Sequence, residues 1–191
     1  ASPIQSAILS GESKTGVSFM QISEQLDAGD VFAQFEIEIG EKNAEHLSAK
    51  LAKLGEKFPE VLKKIASGKL KAIPQNEAET SFCGKIKKAD GRIDWRKDSV
   101  ELLARKFRAF TPWPGIWTIL EGKVLKLVEF SSWRTVGSRQ NGEVFEEDGR
   151  IGVKTIDEAI ELKKVQLEGK KVLTAGEFAR GERGFIGSRL N

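Results

Sequence analysis

The sequence predicts an α/β unit followed by a mainly β domain with an OB-like barrel. Two runs that alternate between apolar and polar residues, 17–22 and 31–39, have the period of strands with one buried face. Helical spacing of apolar residues follows over residues 43–67. After Pro114 the pattern changes to five short alternating runs separated by turn residues. Five strands behind a single helix are typical of a small OB-type barrel.

The helices of the first unit have recognisable start and stop signals. Pro3 near the start and Gly11 just past the end predict a short first helix. Asn43 is a suitable N-cap for the next helical run, and Gly68 is a suitable stop after it. Pro59 lies inside this run and should break it into two helices or kink it. We expect these helices to cover one face of an α/β sheet whose other strands are missing from this sequence.

The best candidate for a linker follows these helices. Residues 69–90 have no sustained period and contain a proline, a glycine and several small polar residues. We therefore divide the chain into an α/β remnant over residues 1–70, a linker over 71–90 and an OB-like domain over 91–191.

The second domain begins with a return of helical spacing over residues 99–110. Turns of the type X-Gly, which start at Glu121, Asn141 and Asp148, separate most of the strands that follow. Thr174 is placed to cap a final short helix. The predicted strands cover residues 115–120, 123–133, 142–147, 150–155 and 159–166.

Composition narrows the class of protein. With 39% hydrophobic and 31% charged residues, the sequence is that of an ordinary globular protein. No apolar run approaches the roughly 20 residues of a membrane span, and the N-terminus has no signal-like core, so we expect a cytoplasmic protein without membrane contact. Cys83 and His46 are each the only residue of their type, which argues against a disulfide framework and a cysteine- or histidine-based metal site.

Positive charge is concentrated in one segment. Residues 85–139 contain 13 Lys and Arg against 6 Asp and Glu, whereas residues 1–84 contain 9 against 12 and residues 140–191 contain 9 against 10. A basic segment between slightly acidic ones favours a surface that meets phosphates. The alternative, that most of these cations individually lie on a solvated surface, stays open.

A short acidic turn, residues 26–30 (LDAGD), joins the two predicted strands of the first unit. Its glycine allows backbone angles that other residues resist, and loops at strand ends are where rigid scaffolds present reactive groups. An Asp in this turn is either a solvated turn former or a working acid, and the residues alone favour the turn former. Spacing alone does not separate Asp27 from Asp30 as the working residue.

Six short motifs occur in an order that resembles a known family. In the first half they are residues 2–5 (SPIQ), 15–18 (TGVS) and 26–30; in the second half they are residues 91–95 (GRIDW), 108–115 (RAFTPWPG) and 168–171 (EGKK). The first three resemble the folate-dependent formyltransferases, and the others resemble the C-terminal domain of the methionyl-tRNA formyltransferases. The resemblance covers essentially all 191 residues.

The resemblance implies that the first unit is the remnant of a doubly wound formyltransferase domain. It places the Asp of the family's catalytic Asn–His–Asp set at Asp27. The family's Asn and His, and its main folate-binding segments, lie upstream of Ala1, so we expect the C-terminal part of a longer enzyme that is inactive by itself. The folate-proximal loop implied by the resemblance consists of Leu26, Ala28, Gly29 and Asp30.

The resemblance also implies the reaction. The formyl donor is 10-formyltetrahydrofolate, the acceptor is the amino group of methionyl initiator tRNA, no metal ion is needed, and a monomer is expected. Attack of the amine gives a tetrahedral intermediate, which needs hydrogen-bond donors for its oxyanion and a group that manages the amine's protons. A carboxylate beside an imidazole favours the charged imidazole and orients its ring. His46, in the first turn of a helix beyond the acidic turn, is not expected to supply that imidazole.

The resemblance supports a contact between the basic segment and tRNA, because the family's linker and C-terminal barrel form a basic face toward the tRNA. Each neutralised phosphate adds affinity that salt removes. Trp95 is expected in the core, and for Trp113 and Trp117 a packing role is favoured over base stacking. The residues expected to contact tRNA are Lys85, Lys87, Lys88, Arg92, Arg105 and Arg108.

Two other functions are compatible with parts of the sequence. A formyltransferase acting on a small amine, such as an amino-sugar nucleotide, would share the same plan but has little use for the basic residues of segment 85–108. The second is a non-catalytic OB-type module that binds nucleic acid. This function does not explain why the acidic turn and its two strands are present.

Overall fold

The chain folds into two units, Ala1–Lys85 and Ile86–Asn191, in a computed structural model that describes residues 2–135 and 138–191. Each unit has its own secondary structure and its own buried residues. Helices and a two-stranded ribbon make up the first unit, and a larger sheet makes up most of the second. The proposed limits of the linker, residues 71–90, stay a prediction.

The first unit contains three helices and a two-stranded antiparallel ribbon. Its elements are α1 Pro3–Ser10, β1 Lys14–Met20, β2 Val31–Glu38, α2 Ala44–Gly55 and α3 Phe58–Ala66, with a single 3₁₀ turn at Glu77–Glu79.

The predicted helix signals act as expected. Gly11 ends α1 in the left-handed conformation with φ 75°. The Asn43 side chain accepts a hydrogen bond from the backbone N–H of His46 at 2.9 Å and caps α2. Pro59 lies at the start of α3, so the long helical run is divided into two helices, as predicted.

The first strand differs from its prediction. β1 begins at Lys14 and ends at Met20, whereas the alternating pattern predicts residues 17–22. A bulge between Phe19 and Met20 interrupts the pairing with β2, and Ile22 beyond it is 96% exposed. Side chains alternate along β1, but none of them is fully buried. The helices therefore cover one face of this ribbon only in part, for example where Phe19 stacks on Phe58 of α3 with ring centroids 5.9 Å apart.

Part of the predicted linker belongs to the first unit. Ile73 pairs with Val31 of β2 through two backbone hydrogen bonds of 2.8 and 2.9 Å. This bridge brings the segment that follows Ile73 alongside the start of β2, which matters for the site described below.

The second unit is a helix followed by a six-stranded antiparallel sheet and a short final helix. Its elements are α4 Val100–Phe110, β3 Ile116–Leu120, β4 Lys123–Trp133, β5 Val144–Glu147, β6 Arg150–Lys154, β7 Ala159–Leu167, β8 Leu173–Thr174 and α5 Ala175–Gly181, after a 3₁₀ turn at Lys88–Gly91.

All five predicted strands are present, and the two-residue strand β8 adds a sixth. Their order is β3-β4-β7-β6-β5, with β8 paired to β7. Within residues 2–135 and 138–191 no pairing joins β3 to β5, so no closed barrel is found. The structure thus establishes a sheet-rich domain without confirming the OB-like barrel.

Two of the predicted glycine turns form hairpins. Glu121 and Gly122, and likewise Asp148 and Gly149, all have positive φ between 48° and 81°, the conformation that suits tight hairpins with the twist of antiparallel strands. The third turn is not a hairpin. Gly142 precedes β5, and a Cβ there would collide with the Leu190 carbonyl oxygen.

Side-chain hydrogen bonds fix the N-terminal ends of both helices of the second unit. The Asp157 carboxylate accepts from the backbone N–H of Val100 at 3.1 Å, at the start of α4. Burial raises the pKa of Asp157, but hydrogen bonds from Thr155 and from backbone amides outweigh burial and lower that pKa. Thr174 and Glu177 form the predicted capping box of α5, and the hydrogen bonds from Thr174 lower the pKa of Glu177.

The core of the second unit lies between its sheet and its helices. Trp95 is 3% exposed and donates from Nε1 to the Thr118 hydroxyl at 2.9 Å, which confirms it as a core residue. The same unit contains a buried ion pair, in which Lys106 on α4 contacts the Asp98 carboxylate at 2.6 Å. No helix in the described part of the chain is long and apolar enough to cross a membrane.

Candidate functional site

The acidic turn between β1 and β2 is a closed loop with a defined backbone. The backbone N–H of Gln21 donates to the Asp30 carbonyl at 2.8 Å and closes the base of the loop. Gly29 is buried against this base, and a Cβ at Gly29 would collide with the Gln21 carbonyl oxygen. The glycine is therefore required by close approach of two backbone segments.

The left-handed residue of the loop is Asp27, with φ 57°. The sequence predicts an unusual backbone angle at the glycine of the loop, whereas in the structure Asp27 is the residue with positive φ. Asp is one of the few non-glycine residues that adopt this conformation readily.

One side chain from outside the loop holds it in place. The Gln75 amide Nε2 donates to the carbonyl oxygens of Asp27 at 2.8 Å and Gly29 at 2.7 Å. Gln75 follows the bridge between Ile73 and Val31, so strand pairing positions the amide that fixes the loop. Sequence analysis missed Gln75, because a glutamine in a predicted linker carries no signal of a contact 48 residues away.

The Asp27 side chain is exposed, and its carboxylate forms no hydrogen bond or ion pair with any residue in the parts 2–135 and 138–191. Leu26 next to it is 96% exposed, whereas Asp30 is half-buried. The loop thus fixes the backbone of Asp27 while leaving its carboxylate available to a group from elsewhere. Ala28 is exposed on the same loop.

His46 is exposed in the first turn of α2, where only its backbone N–H has a described role, as donor to the Asn43 cap. It has no described contact with Asp27, and the expectation that it is not the catalytic imidazole stays a prediction. The described part of the chain also contains no cluster of three or more His, Cys, Asp or Glu able to hold a metal ion.

An open cavity of about 620 Å³ lies beside the clamped loop. One wall is the start of β2, and the other is the segment after Ile73. Gln75 lines this cavity and also clamps the Asp27 loop, so cavity and loop are parts of one local structure. The residues that line it are Val31, Phe32, Ala33, Gln34, Ile73, Pro74, Gln75, Asn76, Glu79 and Thr80.

In the second unit, three of the residues expected to contact tRNA lie close to Trp117. Lys87, Lys88 and Arg92 are exposed. Trp117 Nε1 donates to the Lys88 carbonyl at 3.0 Å, and the Arg92 guanidinium lies 6.0 Å from the Trp117 ring centroid. The half-buried Trp117 thus supports the basic turn, which agrees with a packing role. Lys85 ends the first unit and is exposed there.

The basic residues of α4 are less accessible than the sequence suggests. Arg105 and Arg108 are half-buried, and Arg105 forms an ion pair with Glu101 one turn earlier. Whether they contact tRNA stays a prediction. The packing role predicted for Trp113 is not observed, because 58% of this residue is exposed. It lies in the turn between α4 and β3 and does not belong to the core.

Comparisons with known proteins identify both units. The family model of the formyl transferase C-terminal domain matches residues 85–183, and that of formyl transferase matches residues 1–62. A methionyl-tRNA formyltransferase of Koribacter versatilis (strain Ellin345) is 39% identical over 186 residues, which are 96% of this chain and 59% of that protein. The chain spans about 60% of the length of the curated relatives it matches.

Solved structures of two different proteins share the fold. HypX from Aquifex aeolicus, in complex with tetrahydrofolic acid, matches with a TM-score of 0.67 at 23% identity over 98% of this chain and 34% of that one. An N-formyltransferase from Helicobacter canadensis, in complex with folinic acid and dTDP-3-aminofucose, matches with a TM-score of 0.63 at 19% identity over 85% of this chain and 60% of that one. Since the C-terminal family model alone covers more than half of the sequence, the chain belongs to the formyl transferase family.

Proposed function

We propose that this chain is part of an enzyme that transfers the formyl group of 10-formyltetrahydrofolate to the amino group of methionyl initiator tRNA. The observation that carries the proposal is the 39% identity, over 96% of this chain, to a relative named methionyl-tRNA formyltransferase. The exposed cations of the second unit add a physical reason for an RNA substrate.

Asp27 is the proposed catalytic carboxylate. The Gln75 clamp fixes its backbone, and its carboxylate has no described partner. Both properties suit a residue whose partner comes from another segment, here the imidazole that the family resemblance places upstream. Beside that imidazole, the carboxylate would stabilise the charged ring while the ring takes a proton from the attacking amine. Leu26, Ala28, Gly29 and Asp30 keep their proposed place next to the folate.

Folate enters the proposal through the fold. HypX and the Helicobacter canadensis enzyme were both solved with folate compounds bound, and each shares the fold over most of this chain. The formyl donor, a monomeric state, a cytoplasmic location and the OB-like character of the second unit are parts of the same proposal. They depend on the family resemblance.

The principal alternative is formyl transfer to an amino-sugar nucleotide. It is favoured by the structural neighbour from Helicobacter canadensis, which was solved with dTDP-3-aminofucose. The basic residues Lys87, Lys88 and Arg92 favour tRNA, because a single nucleotide offers too few phosphates to occupy a broad basic surface.

The test is an assay of formyl transfer by the full-length protein that contains this sequence, with methionyl initiator tRNA and dTDP-3-aminofucose as competing acceptors. We expect transfer to the tRNA, and Asp27→Asn should lower kcat by about 10²–10⁴-fold with unchanged tRNA affinity. Glu24→Gln is the matched control, since Glu24 is an exposed carboxylate in the same connection between β1 and β2 but outside the folate-proximal loop, and this variant should retain activity. Transfer only to the sugar nucleotide, or full turnover by Asp27→Asn, would contradict the proposal.

A further inference from the structure

The loop that carries Asp27 is not held by apolar packing. Every residue from Gln21 to Ala28 is exposed, and the loop has no regular secondary structure. Its two large apolar side chains, Ile22 and Leu26, are each 96% exposed. The conformation of the loop therefore depends on hydrogen bonds.

The Gln75 side chain supplies hydrogen bonds from outside the loop. A glutamine amide has two N–H donors, and the carbonyls of Asp27 and Gly29 converge on its Nε2 at 2.8 and 2.7 Å. The same nitrogen lies 3.9 Å from the Met20 sulfur, at the end of β1. With Asp27 at φ 57°, the clamp stabilises a backbone conformation that is unfavourable for most residues.

The backbone around Gln75 is supported on both sides. Two residues earlier, Ile73 exchanges two backbone hydrogen bonds with Val31 of β2. One residue later, the Asn76 side chain accepts from the Ala78 N–H at 3.1 Å and caps the 3₁₀ turn that follows. The amide is thus presented to the loop from a segment that has its own hydrogen bonds.

Nothing in the sequence marks Gln75 as functional. It lies between the two ranges that the family models match, residues 1–62 and 85–183, so neither match assigns it a role. By composition it belongs to a predicted linker. In the structure, this part of the linker contacts the loop of the proposed catalytic carboxylate.

We propose that Gln75 is a positioning residue for the formyl transfer, an inference that rests on the proposed function of Asp27. The amide binds the Asp27 backbone through its carbonyl and leaves the exposed carboxylate available to the reaction. It limits the positions that this carboxylate can take before the imidazole and the amine are bound. Misplacement of a catalytic group by about 1 Å costs on the order of 10²-fold in rate. Because Gln75 acts through Asp27, its effect on the rate must disappear when Asp27 has lost its carboxylate.

The test is a double-variant cycle in the full-length protein that contains this sequence, with the acceptor that the protein formylates in the competition assay. Gln75→Met removes both N–H donors and keeps the length of the side chain. We expect it to lower kcat about 10–100-fold while KM for the acceptor is unchanged. In the Asp27→Asn background, the same substitution should change kcat by less than about twofold.

Two further variants control for loss of the fold. Gln75→Glu keeps the shape of the side chain but donates no hydrogen bond when ionised, so it should lower kcat at least as much as Gln75→Met. Gln166→Met is the matched control, because the Gln166 amide also donates to a backbone carbonyl, that of Lys170 at 3.0 Å, but in the second unit. It should leave kcat unchanged. Thermal unfolding of each variant shows whether the fold is retained.

The outcomes separate this inference from the proposed function. If Gln75→Met lowers kcat by the same factor with and without the Asp27 carboxylate, Gln75 has a general structural role and the inference is overturned. If Gln75→Met and Gln75→Glu keep full turnover while Asp27→Asn loses it, the inference is also overturned, and the proposed function stands. If Asp27→Asn itself keeps full turnover, the catalytic assignment of Asp27 and the role of Gln75 both fall.

Discussion

The two units of the molecule differ in how much apolar surface they bury. Of the described residues, 6 buried hydrophobic ones belong to the first unit and 23 to the second. Exposed large hydrophobic residues show the opposite distribution, with seven in the first unit and four in the second. The first unit has a two-stranded ribbon, whereas the second has a six-stranded sheet.

The two units therefore hold their candidate functional residues differently. A two-stranded ribbon has little stability of its own, so the proposed catalytic loop depends on individual hydrogen bonds, above all those from Gln75. In the second unit, Arg92 precedes Ile93, whose N–H donates to the Trp117 carbonyl on a strand of a well-buried sheet. We therefore expect the loop to be easily perturbed and the segment that carries Arg92 to be rigid.

The largest expected effect is a difference in the stability of the two units. Burial of one large apolar side chain contributes about 1.5–3 kcal/mol to the free energy of unfolding. The second unit buries many more such side chains than the first, so this difference in stability is larger than the effect of any single contact. When the chain is unfolded with denaturant, amides of the first unit should lose protection against hydrogen exchange at lower concentration than those of the second. Leu47→Ala should shift only the first transition, since Leu47 is fully buried there. If both units lose protection at the same denaturant concentration, the expected difference in their stability does not exist.

The next effect concerns the buried ion pair in the second unit. Lys106→Ala should destabilise this unit by about 3–5 kcal/mol, because it leaves the Asp98 carboxylate, only 5% exposed, without its cation. Lys97→Ala is the control, since its pair with Asp94 is solvated and should contribute about 0–1 kcal/mol. Urea unfolding of the second unit measures both. If both variants lose the same unfolding free energy, burial does not make the Asp98–Lys106 pair more important than the exposed Asp94–Lys97 pair.

The smallest effect concerns the clamped loop. Gln75→Ala removes the hydrogen bonds to the Asp27 and Gly29 carbonyls, together about 1–2 kcal/mol, and should increase hydrogen exchange of the Gln21 amide roughly 5–30-fold. Gln34→Ala is the matched control, because the Gln34 side-chain amide donates to the exposed Ser18 hydroxyl on the neighbouring strand and not to the loop. An unchanged Gln21 exchange rate in Gln75→Ala would show that the loop is held by its own backbone.

The sequence was most informative where the structure depends on local interactions. The cap at Asn43, the break at Pro59 and the hairpin at Asp148 follow from side-chain and backbone preferences over a few residues, and all are confirmed. β1 was misplaced: it begins at Lys14, before the alternating run at 17–22, and a register shift between Phe19 and Met20 interrupts its pairing with β2 before Ile22. An alternating pattern does not record such an interruption.

The candidate sites divide in the same way. The motif that contains Asp27 identifies the loop, but not that Asp27 itself adopts the left-handed conformation. Sequence clustering finds Arg92 within a basic segment whose Lys106 is held in a buried pair. It omits Arg189, which lines the same surface depression as Arg92 but lies far away in the chain.

By itself, the sequence determined the order of helices and strands, the change from an α/β to a sheet-rich unit, and the resemblance to formyltransferases. These depend on periodicity and short motifs, which are properties of neighbouring residues. Only the tertiary structure decided that Gln75 clamps the Asp27 loop and that Arg92 and Arg189 share one depression. Such contacts join residues that are distant in sequence, and they exist only once strand pairing has brought those residues together.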